Sequence, residues 1–433
     1  MSISRRGFLE SSALAGLGPG FCLGKNDPLS TAATPEVAVI MTAMTYRSHA
    51  HVIMENFVQP YMFNGQKTEP GVNVVAMYVD QFPAGDMARG IARKYGIPIY
   101  DTIQKACSLG GAELKVDAVL SIGEHGDYPF DELGRHQYPR KRFFDEILKC
   151  VKKSGRGIPI FNDKHLSFRW DWSKEMFDHS MENVCPLMAG SSVPLAQRIP
   201  NLELSPGCEI VEAISIHGGG VESYDFHGLE VLQSMIESRK GGETGVARLQ
   251  FLDSNAVLEK MEKGEISREI FDKAMRAVDS EANLSFEEII KTSHGIHLEY
   301  KDGLMATCLS IKQIKGNNWA FGCSLKDDSA IKACRFYVGP WNNRNLFKAL
   351  SHSIQTHFKN RSSPYSIERT LLTTGMVNFA MDSKFAGGKI LPTPQLEIAY
   401  LPKEFRSMRE MGSTWKILTE ETPQPKGFFQ QYR

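Results

Sequence analysis

Three polar clusters in this sequence hold residues able to move protons. Glu124, His125, Gly126, Asp127 and Tyr128 form the first, Asn162, Asp163, Lys164 and His165 the second, and Glu222, Asp225, His227 and Glu230 the third. An imidazole titrates near neutral pH and can accept a hydroxyl proton, while an ammonium can donate to a hydroxyl oxygen. Lys164 and His227 are the pair expected to do this, with Asp163 or Glu230 orienting the imidazole or tuning the lysine. The same residue types also suit a divalent metal, with Glu124, His125, Asp127, Asp163, His165, His227 and Glu230 as possible ligands. Spacings such as His125-x-Asp127 and Asp163-x-His165 permit that arrangement without defining it. A metal-dependent lyase, epimerase or hydrolase therefore stands as an alternative.

The elements that must position these clusters follow from hydrophobic periodicity. From Glu36 onward, short apolar runs alternate with helical stretches, the pattern of a parallel α/β sheet. Strands are expected at 37–40, 74–79, 97–100, 118–122 and 158–161. Between the first two, Ala50, Ile53, Met54, Phe57 and Val58 share a helical face behind an N-cap at Ser48. Gly96 and Gly155 stand where helix C-caps belong. In such a sheet ligands bind beyond the carboxyl ends of the strands, and the first two clusters follow the fourth and fifth strands. Past about residue 185 strand-like segments dominate, at 209–216, 297–300, 304–311, 319–324 and 334–338. Asp302-Gly303 marks a hairpin between two of them. Helices are expected at 226–236, 267–278 and 366–382. The fold class is therefore an N-terminal Rossmann-type doubly wound parallel sheet, followed by an α+β unit with an open, mostly antiparallel sheet carrying helices on one face. The expected divisions are 34–183 and 184–400, with a C-terminal extension at 401–433.

The order of these elements over most of residues 35–400 resembles the glucose–fructose oxidoreductase, inositol dehydrogenase and MocA family. Val37-Ala38-Val39-Ile40 is similar to that family's first strand, and Lys94-Tyr95-Gly96-Ile97-Pro98-Ile99-Tyr100 to the segment before its third. Val116-Asp117-Ala118-Val119 resembles its fourth strand. Asp163-Lys164-His165 stands where the family shows Glu-Lys-Pro, and Gly218-Gly219-Gly220 with His227 and Glu230 resembles the segment supplying its catalytic histidine. The resemblance implies NAD(P)-dependent oxidation or reduction of a sugar or polyol hydroxyl, with a carbohydrate-like substrate. Lys164 and His227 would then serve hydride transfer. It also implies a homo-oligomer built on the second sheet, or, if catalysis has been lost, a sugar-binding or scaffold protein.

A dinucleotide site needs glycines after the first strand, so that backbone can approach a pyrophosphate at the helix N-terminus. Here that turn reads Met41-Thr42-Ala43-Met44-Thr45-Tyr46-Arg47-Ser48, without glycine. Arg47 could supply charge instead, and Thr42 or Ser48 a hydroxyl. Asp80, ending the second strand, would accept from a ribose hydroxyl and suit NAD over NADP, and Glu124 and His125 would complete the cofactor residues. Two other segments could touch a sugar: Met188-Ala189-Gly190-Ser191-Ser192 as a polar loop or plain turn, and Phe168, Trp170 and Trp172 as stacking rings or packing.

Of the 433 residues, 50 are basic and 50 acidic, so no summed field favours nucleic acid as a partner. Ser4-Arg5-Arg6-Gly7-Phe8-Leu9, a weakly apolar stretch and Thr31-Ala32-Ala33 read as a twin-arginine export signal over residues 1–33, placing the chain in the periplasm or beyond. That stretch is too short and glycine-rich to span a membrane. The eight cysteines stand singly, with no CxxC pair, and are expected to be small buried hydrophobes.

Overall fold

In the computed structural model, residues 33–278, 285–314 and 318–425 are described. The expected export signal lies outside them apart from its last residue, and so does Cys22.

The first sheet grows from apolar runs buried on both faces, as a parallel sheet requires. It begins with β1 (Glu36–Met41) and α1 (His49–Val58), then a small hairpin of β2 (Tyr61–Phe63) and β3 (Gln66–Thr68). The alternation continues through β4 (Asn73–Val79), α2 (Ala88–Tyr95), β5 (Ile99–Tyr100), α3 (Ile103–Ser108), β6 (Ala118–Ile122) and α4 (Arg140–Ser154). It closes with β7 (Ile160–Asp163), α5 (Trp170–Glu182) and β8 (Leu187–Gly190). The strand order β5-β4-β1-β6-β7-β8 is parallel throughout, which is the doubly wound order with its switch point between β1 and β6. Ser48 caps α1 by accepting from the His51 amide, and Gly96 and Gly155 end α2 and α4 in the left-handed conformation as expected.

The sheet has six strands rather than the expected five. Met188, Ala189 and Gly190 are not a loop but most of β8, a four-residue edge strand with too few β-branched residues to stand out.

The second sheet uses β9 (Gln197–Ile199), β10 (Ile210–His217), α6 (Asp225–Ile236), β11 (Val246–Leu252), α7 (Ser254–Glu262), α8 (Arg268–Ala277) and α9 (Phe286–Ile290). It continues with β12 (His294–Tyr300), β13 (Met305–Ser310), β14 (Trp319–Leu325) and β15 (Asp328–Tyr337). Last come α10 (Asn343–Asn360), α11 (Ile367–Phe385) and β16 (Leu391–Pro392). Its order is β16-β11-β12-β13-β10-β14-β15-β9, antiparallel except where β10 meets β13. Asp302-Gly303 makes the expected hairpin, with Gly303 donating to the Tyr300 carbonyl.

Helices cover both faces of this sheet, not one. Ile214 and Ile216 of β10 pack with Ile270, Phe271 and Ala274 of α8. Ala213 faces the other way, into the cluster that holds Phe226 and Leu229 of α6. Each fully buried isoleucine contributes about 1.5–3 kcal/mol to that packing.

α10 was not expected at all. It lies against α1, and buried between them Arg344 donates to both carboxylate oxygens of Glu55, through Nη2 at 2.7 Å and Nε at 3.0 Å. The segment after residue 400 returns across the molecule to the turn that follows β1. There the Gln424 side chain accepts from Arg47 Nη2 at 2.6 Å and from the Tyr46 hydroxyl at 3.1 Å. Among the described residues, no helix is long and apolar enough to cross a membrane. The seven described cysteines are free thiols, buried or half-buried.

Candidate functional site

A cavity of about 370 Å³ opens beyond the carboxyl ends of β6 and β7, bounded on its far side by the start of α6. Lys164, His165, Glu124, His125, Glu222 and His227 all line it, so the three polar clusters of the sequence do meet.

β6 runs straight into Glu124, and Gly123 before it has a steric reason. A Cβ there would stand 2.7 Å from Cγ of Arg140, which reaches beneath the cluster from the first turn of α4. Glu124 Oε1 accepts from Lys164 Nζ at 2.8 Å, while Oε2 accepts from Arg140 Nη2. Burial works to raise the Glu124 pKa, but the charges of Lys164 and Arg140 overcome it and hold the carboxyl well below its usual range. Lys164 itself has φ +62°, a left-handed backbone that costs a non-glycine residue energy. That turn takes the chain off β7 and brings the ammonium back over Glu124.

His227 sits in the first turn of α6, its Nδ1 sharing a 2.6 Å hydrogen bond with the Ser191 hydroxyl at the end of β8. Burial, then the Lys164 charge, keep this imidazole well below its ordinary pKa and therefore neutral, the form that can accept a proton. Ser191 thus orients the ring, and neither Asp163 nor Glu230 does so as expected. Asp163 is committed to His49, with Oδ2 2.6 Å from Nδ1. Glu230 lies one turn further along α6, outside the cavity lining, and accepts from the Thr373 hydroxyl at 2.6 Å and weakly from the Ser191 amide at 3.4 Å. Gly190 makes room for that carboxylate, since a Cβ there would lie 3.0 Å from Glu230 Oε2. Asp225 turns away as well, toward His217 at 3.0 Å and His294 at 2.8 Å.

His165 and Glu222 belong to the expected clusters, whereas His49, Asn343, Phe347, Tyr224 and Trp319 carried little sequence signal. His165 lies 3.1 Å from Arg140 Nη1 and 3.6 Å from Glu222 Oε1, and its Nδ1 has no protein partner. Burial pushes Glu222 up to about 7, and its Oε1 is also without a hydrogen-bond partner. Arg47 enters from the turn after β1, His49 from the start of α1, and Asn343 and Phe347 from α10. Tyr224 and Trp319 form one wall, their rings 6.3 Å apart and inclined by only 7°. Such a wall suits the apolar face of a sugar ring. Phe168 and Trp172 line a separate surface groove, and Trp170 packs near Phe379 of α11.

The expected cofactor residues behave differently. Thr42 is buried and donates to the Glu124 carbonyl at 2.5 Å, so its hydroxyl holds the turn rather than a ligand. Ser48 is used as the cap of α1. The amide of Arg47 donates to His51 Nδ1 at 2.7 Å. Asp80 Oδ1 accepts from Tyr78 at 2.5 Å and from Arg142 at 2.6 Å, and Oδ2 accepts from Tyr128 at 2.6 Å. Both of its oxygens are thereby engaged by the protein. Asp127 is exposed, joined through its backbone to Gln81. Among the described residues no three His, Cys, Asp or Glu side chains converge as a metal ligand set.

A parallel layer ordered 3-2-1-4-5-6, followed by an open mixed sheet, with a polar cavity beyond the strand ends, defines a two-sheet Rossmann-type fold. More particularly, it is the fold of the glucose–fructose oxidoreductase, inositol dehydrogenase and MocA family. Similar solved structures include myo-inositol dehydrogenase from Lactobacillus casei in complex with NAD(H) and myo-inositol (13% identity, TM-score 0.53, 83% of this chain and 96% of that one). An oxidoreductase from Agrobacterium radiobacter in complex with NAD+, L-tartaric acid and magnesium is alike at 12% identity and TM-score 0.52, over 83% of this chain and 98% of that one. GenD2 from gentamicin A biosynthesis, in complex with NAD, matches at 10% identity and TM-score 0.52, over 83% and 96%. No family model and no curated protein matches the chain.

Proposed function

We propose that this chain is an exported enzyme of the oxidoreductase class that acts on a hydroxyl of a carbohydrate-like small molecule. The observation that carries this reading is the convergence of Lys164 and His227, both desolvated and both held by named partners, on one enclosed cavity. Lys164 would donate to the substrate oxygen while Glu124 and Arg140 fix its position. His227, neutral and oriented by Ser191, would take the hydroxyl proton. Tyr224 and Trp319 would carry the ring. Solved structures of the same fold with NAD(H), one of them also with myo-inositol, support oxidation as the reaction class. The twin-arginine segment supports export.

NAD or NADP, the cofactor this class uses, would supply hydride exchange. Its adenosine half does not fit the residues as they stand. The turn after β1 has side chains where a pyrophosphate needs bare backbone, Gln424 lies on Arg47, and Asp80 is saturated by two tyrosines and an arginine. No step above is therefore routed through it. The same observation favours a second reading, proton transfer without redox chemistry, as in an epimerase or lyase. Glu222, raised by burial to about 7 and with an unpartnered oxygen in the cavity that Lys164 also lines, would be the second acid–base group.

The test is to incubate the purified protein with sugars and polyols and follow two signals. Reduction of added or co-purified nicotinamide dinucleotide establishes the oxidoreductase. Incorporation of solvent deuterium at carbon, without dinucleotide reduction, establishes the proton-transfer enzyme. Neither signal across a broad panel refutes both.

A further inference from the structure

The cavity is chemically lopsided. Lys164, Glu124, His165, Glu222 and His227 form the acid–base group already described. Arg47 from the turn after β1, His49 at the start of α1 and His125 from the turn after β6 line the same cavity, with the rings of His49 and His125 5.2 Å apart. Among the described residues, the acidic residues in its wall are Glu124, which is bound by both Lys164 and Arg140, and Glu222, which stands against His165. His49 is met from behind by Asp163. Arg47 has one guanidinium nitrogen on the neutral Gln424 amide, so its charge is not cancelled there. His125 Nε2 is buried with no hydrogen-bond partner, and the backbone beneath it is held at φ +68°.

A half-buried arginine with no carboxylate partner among the described residues, and a buried imidazole nitrogen without a hydrogen-bond partner in the same cavity wall, are both groups that a ligand can complete. A neutral polyol offers hydroxyls but no charge. We propose that the substrate is an anionic sugar derivative, its carboxylate or phosphate held by Arg47 and His125 and its reacting hydroxyl placed between Lys164 and His227. Guanidinium pairs with either anion through two parallel N–H bonds, which fixes orientation as well as affinity. This deepens the proposed function and rests on it for the position of the reacting hydroxyl.

The test is calorimetric binding at pH 7 with D-glucose, myo-inositol, D-glucuronate and glucose 6-phosphate, on the full chain and on R47M and R47K. Charged ligands are expected to bind at least about tenfold tighter than neutral ones, with the preference lost in R47M and largely restored in R47K. A preference for glucuronate identifies a carboxylate site, and one for the phosphate ester a phosphoryl site; either outcome supports the inference. Equal binding of neutral and charged sugars overturns it while leaving the hydroxyl chemistry standing. A preference that survives in R47M also overturns it. If no ligand binds, the cavity is not a carbohydrate site, and this inference and the proposed function fall together.

Discussion

Lys164 Nζ lies 2.8 Å from Glu124 Oε1, tying the end of β7 to the end of β6. Because Arg140 takes the other carboxylate oxygen, a single acid holds two buried cations. Replacing it strands both. Glu124→Gln is expected to destabilise the fold by about 3 kcal/mol or more, whereas Lys164→Met, which leaves Glu124 with Arg140, should cost less. Urea unfolding of the two variants checks the order, and a reversed order would show that the pair is not the anchor of this turn.

Turnover should separate from stability at the same place. Lys164→Met and His227→Gln are each expected to lower kcat by about 10²- to 10⁴-fold while far-ultraviolet circular dichroism stays unchanged. Ser191→Ala, which removes the hydroxyl on His227 Nδ1 but not the imidazole, should cost roughly tenfold. A full rate in either of the first two variants would remove that residue from the chemistry.

Stability should fall as the solution is acidified from neutral. Burial depresses His51, His125, His297, His352 and His357 to about 4, against 6.5 for a free imidazole. Between those values the unfolded chain binds more protons than the folded one, so each group removes stability as pH drops, by up to about 1.4 kcal/mol per pH unit. Their contribution is complete above pH 6.5 and is lost toward pH 4. Glu222, raised to about 7, acts in the opposite sense between about 4.5 and 7, as do Glu212, Glu230 and Asp382, which burial also raises, but these four are outnumbered by the five imidazoles together with His136, His165 and His227, which are also lowered. Urea midpoints at pH 7.5, 6 and 5 should therefore decline in that order, and a flat profile would contradict the burial of these rings.

Gln424→Ala removes the acceptor that lies on Arg47 and Tyr46. If a dinucleotide enters over the turn after β1, freeing this arginine should tighten its binding by about tenfold, or 1.4 kcal/mol. Titration of NAD+ into the wild type and the variant measures this. Unchanged affinity would place the C-terminal segment off any cofactor path.

Much of the architecture was legible because it rests on local rules. The runs at β1, β4 and β6 are mostly apolar, Ser48 caps α1, and glycines close α2 and α4. The meeting of Lys164 and His227 followed from the rule that sites lie beyond strand ends. What could not be read is tertiary. α10 buries Arg344, Lys348, Ser351 and His357 alongside Leu350 and Ile354, so its inner face does not look apolar in sequence. The partners of Asp80 come from β4, from a loop 48 residues later and from α4, and no spacing rule links them. Ser191 was read as part of a polar loop, and only the edge position of β8 brings it to His227.

The two-sided packing of β10 has a consequence for how the protein reaches its working form. Ile216 and His217 are neighbours that face opposite sides of one strand, the first toward α8 and the second toward Asp225 at the start of α6. A slip of one residue in pairing would exchange them, setting an imidazole among isoleucines and leaving Asp225 without its partner. The helix that carries His227 begins at that aspartate. A chain with a misregistered second sheet would thus also lose the foundation of the helix that brings His227 to the cavity, and a defect in assembly would be read out directly at the candidate site.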